Sequence, residues 1–237
     1  MIYWYYFSLA ALVFCLAMCV IHFFRIVKLG APKDLSEQSG SVTAGVIYSN
    51  TSAMLPMQKE SAYKHLPTYT AGIILHIGIF VAFIAFLFLY FDAVWRFFFQ
   101  NSVLSLLIAI LLGLSSCCGI SLKIKRLTSK KLRPISNMDD YISVGLVTLF
   151  QITSALLFTV FAFHETFHQY FSSEVHEWLI IAYYIFATLL FLYLPMGKLK
   201  HVVYYFSARY HLGFFYGRRG TWPPKNSYSH ATNGIKF

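Results

Sequence analysis

The sequence predicts an all-α membrane protein, a bundle of five transmembrane helices with its N-terminus outside and its C-terminus in the cytoplasm. Three observations support this fold class. The 237-residue chain is 58% hydrophobic and only 12% charged, a composition far from that of a soluble domain. Its apolar residues form five runs, each long enough to cross a bilayer as a helix. Its basic residues lie almost entirely in alternate connections between those runs.

The five spans are expected at residues 2–24, 70–91, 103–122, 142–163 and 178–196. Each has about twenty residues, which at the rise of an α-helix matches a hydrocarbon core ~30 Å thick. An aromatic run from Tyr3 to Tyr6 opens the first span, and such residues favour the membrane interface. No basic segment or cleavage motif accompanies this span, so we expect it to be retained rather than removed as a signal peptide.

The distribution of the nineteen Lys and Arg residues predicts the orientation. Eighteen of them lie in the connections after the first and third spans and in the tail, whereas the other two connections contain only Arg96. Because connections on the cytoplasmic side carry the excess of basic residues, the N-terminus is expected outside and the C-terminus inside. Topology therefore explains the net charge of +10, and we expect no nucleic-acid partner.

The predicted organisation is a five-span membrane domain, residues 1–201, followed by a cytoplasmic tail, residues 202–237. The membrane domain includes a long cytoplasmic connection, residues 25–69, whose middle is rich in Gly, Ser, Thr and Pro. Short helices are expected there, and they could cover the surface of a partner. The four cysteines fall inside predicted spans, a placement that favours packing over disulfides or a zinc site.

Two histidines form the main candidate site. His76 lies inside the second span, where an imidazole is costly and so marks a functional candidate, and His201 follows the last span. The predicted orientation places both near the cytoplasmic face, on antiparallel spans. Two imidazoles at matching depth can ligate one haem iron. His22, near the inner end of the first span, is the other candidate partner for His76, and both main histidines could also be ordinary buried or interfacial residues.

Short motifs around these histidines carry a family resemblance. The segments Leu75-His76-Ile77-Gly78-Ile79 and Phe191 to His201 resemble the membrane cytochrome b (gamma) subunit of respiratory nitrate reductase. They are also similar to cytochrome b subunits of sulfite reductase-linked and heterodisulfide reductase complexes. The resemblance implies a haem b held by His76 and His201 in a multi-pass protein of the inner (cytoplasmic) membrane.

The resemblance also implies a function and partners. Such a subunit transfers electrons between the quinone/quinol pool and a cytoplasmic-side iron–sulfur partner, in a respiratory complex with catalytic subunits and surrounding lipids. It does not catalyse the terminal reaction alone, and the sequence contains no nucleophile–base or phosphate-binding motif. A haem-free quinone-binding or structural membrane anchor is the alternative function.

The chain departs from the family at the outer haem. The positions that match the ligands of that second haem are Phe86 and Tyr183, and neither is a usual ligand in such a site. One haem is therefore favoured, with two as the alternative. The polar residues expected on the outer side form a candidate quinone, proton or second-cofactor site, and otherwise a polar interfacial cluster; they are His164, Glu165, His168 and His176.

The tail contains a mixture of arginines, aromatics and turn residues. Arg and Trp are over-represented among interface residues that dominate binding energy. The predicted contacts with the cytoplasmic partner are therefore Arg209, Arg218, Arg219 and Trp222. The alternative is a basic segment that lies on anionic lipid headgroups.

Overall fold

The structure, a computed structural model, describes residues 2–30, 34–55, 58, 64–164 and 173–224. No strand occurs in these ranges. Short 3₁₀ turns lie at Ser52–Met54, Arg133–Ile135 and Lys198–Lys200. The α-helices of the described residues are α1 (Ile2–Lys28), α2 (Val42–Asn50), α3 (Leu66–Phe88), α4 (Asp92–Gln100), α5 (Ser102–Thr128), α6 (Met138–Ala162), α7 (Ser173–Tyr193) and α8 (His201–Arg218).

The five-span prediction is confirmed. Within the described ranges, five helices are long and apolar enough to cross a membrane, namely α1, α3, α5, α6 and α7. Some of them extend past the predicted spans, and α5 continues to Thr128 with Lys125 and Arg126 in its last turn. Long basic side chains tolerate this position because their apolar stems can lie along the helix while the charge reaches water.

The structure contains two further helices that the hydrophobic runs did not predict. The nine-residue helix α4 lies between α3 and α5, too short to span a bilayer. It is held by Phe98, which is buried and packs edge-on against Phe158 at 5.0 Å between ring centroids. The helix α8 begins soon after α7 ends, within the predicted tail. The expectation of a short helix in the long connection is met by α2.

The chain divides into two compact units, Met1–Ala17 with Pro67–Leu199 and Met18–Leu66 with Lys200–Phe237. The first unit contains most of the membrane-spanning residues. The second unit combines the end of α1 and the long connection with α8. The connection therefore belongs structurally with the tail, although the two are far apart in the sequence.

Small residues allow the helices of the first unit to approach closely. A Cβ added to Gly78 of α3 would overlap Ser115 of α5, and one added to Gly119 would overlap Thr148 of α6. Close approach at small residues is the usual way that membrane helices pack, since lipid gives no hydrophobic drive between them. The most extensive helix contacts of this unit are those of α6 with α5 and α7, which makes α6 the central helix.

Glycines also bring α2 and α8 together in the second unit. A Cβ on Gly45 would overlap the backbone of Gly213 and Gly217, so both helices need glycine where they cross. Hydrogen bonds reinforce the contact, since the Ser49 hydroxyl donates to the Arg209 carbonyl at 2.6 Å. The short helix α2 is thus fixed along α8.

Candidate functional site

His76 lies on α3 with an exposed side chain. Its Nδ1 lies 2.6 Å from the carbonyl oxygen of Gly72, one helical turn earlier. A carbonyl oxygen only accepts, so Nδ1 carries the proton and the ring lone pair is on Nε2. A backbone carbonyl bound to the other ring nitrogen is the arrangement that orients metal-ligating histidines. The geometry of His76 is therefore that of a histidine able to coordinate a metal through Nε2.

The surface around His76 is apolar. On the same side of α3, Ile73, Ile77 and Phe80 are exposed by 39%, 48% and 54%. A polar ring on such a surface is costly in a membrane unless a partner covers it. A flat, mostly apolar macrocycle with a metal at its centre would cover both the apolar surface and the imidazole.

His201 is the first residue of α8, and its side chain is exposed. It follows directly on the 3₁₀ turn Lys198–Lys200. His76 belongs to the first unit and His201 to the second. The pairing of the two imidazoles on one iron stays a prediction.

A network of charged groups, missed by the sequence analysis, holds the chain just before His201. Asp139 Oδ1, at the start of α6, accepts hydrogen bonds from the Tyr193 hydroxyl and from the Lys198 backbone N–H at 3.2 Å. Asp140 Oδ1 lies 2.6 Å from Arg126 Nη1 and 2.7 Å from Lys198 Nζ. The sequence pointed to these acids only through the capping pattern of Asn137 and Asp140, whose reciprocal hydrogen bonds form a capping box.

His22, the other candidate partner for His76, lies in the second unit. It is buried, with 7% of its surface exposed, and its Nδ1 is 3.0 Å from the Tyr204 hydroxyl on α8. The two rings lie 5.5 Å apart. The structure thus gives His22 a contact that holds α8 to α1.

Phe86 and Tyr183, at the positions that the resemblance matches to outer haem ligands, are both buried, with 1% exposed. Their ring centroids lie 5.9 Å apart. Phe191 packs on Phe86 at 4.8 Å, and Phe150 stacks on Tyr183 at 5.7 Å. Protein interiors are close-packed, and a porphyrin here would have to displace these rings. The packed rings at this position therefore do not fit a haem.

The four polar residues predicted for the outer side are only partly described. His164 lies two residues after the end of α6, and His176 lies in the first turn of α7; both are half-buried. Glu165 and His168 lie outside the described residues. The clustering of these four groups stays a prediction. In the described part of the chain, no group of three or more His, Cys, Asp or Glu side chains is arranged to hold a metal ion.

Arg209, one of the predicted partner contacts, is engaged inside the second unit. Its Nη2 donates to the Ser49 carbonyl, and its guanidinium lies 5.8 Å from the centre of the Trp222 ring. Trp222, another predicted contact, also packs at 5.5 Å on Tyr48 of α2. These contacts join α8 and the residues after it to α2.

Arg218 and Arg219 are engaged in the same way. Arg218 Nη2 donates to the Ser36 carbonyl at 2.8 Å. Arg219 Nε lies 3.4 Å from Asp34 Oδ2, and its guanidinium stacks 3.9 Å over Phe215. All four predicted docking residues therefore hold the second unit together, and their contact with a partner stays a prediction.

Comparison of the chain with protein-family models, with curated proteins and with solved structures finds no match. The structure itself establishes a multi-pass all-α membrane protein, whose described residues include five helices able to span a bilayer.

Proposed function

We propose that this chain is a haem b-bearing membrane-anchor subunit of a redox complex. It transfers electrons between the quinone pool and an iron–sulfur partner on the cytoplasmic side. The observation that carries the proposal is the hydrogen bond between His76 Nδ1 and the Gly72 carbonyl, 2.6 Å long. It gives an imidazole on an apolar membrane helix the tautomer and the fixed orientation of a metal ligand. The family resemblance supplies His201 as the second ligand.

The residues of the chain would act as follows. His76 offers Nε2 to the iron while Gly72 keeps the ring from rotating, and His201 offers the second imidazole from the start of α8. The exposed apolar side chains of α3 keep water from the macrocycle. When bound, a haem iron held by two imidazoles carries one electron at a time. His164 and His176 would accept the protons released by quinol.

We propose one haem per chain. Support comes from the packed aromatic rings of Phe86, Phe150, Tyr183 and Phe191, which fill the position of the family's second haem. Quinone then binds within electron-transfer reach of the single haem. The outer polar residues conduct protons and hold no second cofactor.

The proposed location is the inner membrane, with the N-terminus outside. The charge distribution supports this orientation. Arg25 and Lys28 occupy the last turn of α1, and Lys125 and Arg126 occupy the last turn of α5. Both helix ends would face the cytoplasm, where basic residues are enriched.

The haem proposal is tested on the purified full chain by a dithionite-reduced spectrum and a haem-to-protein ratio. We expect a b-type spectrum with one haem per chain. Alanine at His76 or at His201 should abolish the low-spin spectrum, whereas His211→Ala, the matched control on α8, should keep it. Both ligand variants retaining a full spectrum would refute the assignment. A colourless protein from haem-replete cells would leave the haem-free anchor function.

A further inference from the structure

We propose that Gln151 and Ser115 are positioning residues for His76, a haem ligand of the proposed function. Their side chains bind the backbone of α3 beside His76 from two neighbouring helices, and so determine the depth and the direction of its imidazole. The inference rests on the proposed function, because it assigns residues to the same site. Every residue that it uses, including His76, belongs to the first unit.

The two donors bind adjacent carbonyls of α3. Gln151 Nε2, on α6, donates to the Leu75 carbonyl at 3.0 Å. The Ser115 hydroxyl, on α5, donates to the Ile74 carbonyl at 3.1 Å and lies 3.4 Å from the Leu75 carbonyl oxygen. A carbonyl oxygen has two lone pairs, so each can accept a side-chain donor as well as an N–H of its own helix. The peptide group that joins Leu75 to His76 is therefore bound from a neighbouring helix.

Both donors are enclosed by the protein. Gln151 and Ser115 are fully buried, so water does not compete for their hydrogen bonds. A rotation or a slide of α3 would break these contacts in an apolar environment, where an unpaired amide or hydroxyl group is costly. The two side chains therefore favour one placement of α3 against α5 and α6.

Gly78 shows how closely the donors approach α3. This residue lies three positions after Leu75, on the same face of the helix. A Cβ at Gly78 would overlap the Ser115 side chain and would lie 2.9 Å from Gln151 Nε2. The missing side chain thus lets both donors reach the α3 backbone.

The contact of His76 with its own helix leaves one part of its placement open. The hydrogen bond of Nδ1 to the Gly72 carbonyl, 2.6 Å long, fixes the ring relative to α3. It does not fix α3 relative to the other helices, because both atoms belong to α3. Leu75 is buried and the adjacent His76 is exposed, so the bonds on the buried face determine where the exposed ring points.

Small movements of α3 matter for a metal ligand. A side-chain ring lies ~5 Å from the helix axis, so a rotation of about 10° would move the His76 ring by about 1 Å. Functional side chains need to be held to within ~0.5 Å of their working geometry. Because ligand orientation tunes a metal centre, loss of these contacts would alter the spectrum and the midpoint potential of the haem.

The test compares variants of the full-length protein in detergent. Gln151→Leu removes the donor and keeps the volume, and Ser115→Ala removes the hydroxyl. Ser116→Ala is the matched control on α5. Ser116 is also buried, but its hydroxyl donates to the Leu112 carbonyl of its own helix at 2.8 Å.

Two readouts are measured. The first is the electron paramagnetic resonance signal and the midpoint potential of the haem, which a purely structural contact would not change. The second is the rate of amide hydrogen exchange in α3. It is measured in a His76→Ala background, so that a haem bound at His76 makes no contribution.

We expect Gln151→Leu and Ser115→Ala to shift the resonance signal and the potential. Both should speed exchange in α3 roughly threefold, the factor that an average hydrogen bond between membrane helices corresponds to. Ser116→Ala should match the wild type in both readouts. Should Ser115→Ala fail to fold, Gln151→Leu against Ser116→Ala provides the same comparison.

Three outcomes would overturn the positioning role. Faster exchange with an unchanged signal and potential would make the two donors structural residues only. No change in either readout would show that they do not hold α3. Equal shifts in Ser115→Ala and Ser116→Ala would assign the effect to the loss of any buried hydroxyl on α5.

A wild-type protein without haem would overturn the proposed function and the positioning role together. The exchange rates would then still report whether Gln151 and Ser115 hold α3, which separates the two failures.

Discussion

At the scale of single residues, the partner of the Nδ1 atom distinguishes the surroundings of His76 from those of His22. His76 binds a backbone carbonyl one turn away on its own helix, and its ring lies on an exposed apolar surface. His22 binds the Tyr204 hydroxyl on another helix and is buried. The contact of His76 lies within one helix and orients its ring, whereas the contact of His22 holds two helices together. We therefore predict that replacement of His76 abolishes the haem spectrum, whereas replacement of His22 weakens the second unit.

Replacement of His22 by Phe should keep the haem spectrum and weaken the second unit. Loss of the hydrogen bond to Tyr204 should cost about 0.5–1.5 kcal/mol, and Tyr204→Phe should cost the same. Haem content and thermal unfolding in detergent measure the two effects. If His22→Phe abolished the spectrum while His201→Ala kept it, His22 would be the ligand instead.

Gln151 of α6 provides a second residue-scale test. It is fully buried, and its amide nitrogen donates to the Leu75 carbonyl on α3 at 3.0 Å. Its Oε1 is buried and makes no hydrogen bond to the described residues. The side chain thus combines one favourable polar contact with one unsatisfied acceptor.

Replacement of Gln151 by Leu should change stability by less than about 1 kcal/mol. Hydrogen bonds between membrane helices are worth about 0.6 kcal/mol on average, and Leu also removes the unsatisfied acceptor. Gln151→Ala should cost about 2–5 kcal/mol because it leaves a cavity. Unfolding in detergent measures both variants. Equal losses would show that the hydrogen bond, and not the volume, stabilises the crossing of α3 and α6.

At the scale of elements, α6 and α8 organise the two units in different ways. The helix α6 is central to the first unit, and its first turn ties down the end of α5 and the chain after α7. The helix α8 packs on α2 through glycines, with arginines that bind the backbone and side chains of the long connection. A basic tail that seemed to be a docking surface is therefore also a structural partner of that connection.

Replacement of Gly45 by Ala should destabilise the second unit by about 1–3 kcal/mol or more, because the added methyl meets the α8 backbone. The matched control is Gly113→Ala on α5, where an added Cβ meets nothing within 4 Å. That variant should be neutral or stabilising by up to about 1 kcal/mol, since Ala is the better helix former. Proteolysis of the connection between α1 and α3 measures the difference. Equal behaviour of the two variants would contradict the packing of α2 on α8.

At the scale of the whole molecule, charge distribution and hydrophobic length act together. The basic residues concentrate at alternate connections, so a single orientation places nearly all of them on one side of the membrane. The second unit combines the connection after α1 with α8 and the residues that follow it. Both segments are expected on the cytoplasmic side.

Reporter fusions test this orientation. A reporter that is active only in the cytoplasm should be active when fused after Phe237 and silent when fused after Gln169, because the connection after the fourth span contains no basic residue. A periplasm-specific reporter at the same two positions provides the control and should give the reverse pattern. Activity after Gln169 with silence after Phe237 would invert the topology.

Local properties of the sequence determined the class of the protein. The five spans followed from runs of apolar residues, because length and hydropathy suffice where the backbone must satisfy its own hydrogen bonds in lipid. The structure confirms these helices. The sequence also predicted His76 as a functional candidate, since an imidazole inside an apolar span is rare for energetic reasons, and that role stays a prediction.

Only the tertiary structure decided which distant residues meet. Asp139 binds the backbone of Lys198 across 59 positions, and Ser49 binds Arg209 across 160. No local periodicity encodes such pairs. The tail arginines show the same limit, because composition predicts that they bind something but not that their partners lie in the same chain. The sequence showed only that Phe86 and Tyr183 are not usual haem ligands. The structure shows that their rings are packed against Phe191 and Phe150. The physical reason is that hydropathy acts residue by residue, whereas close packing and charge pairing depend on where the folded helices bring the side chains.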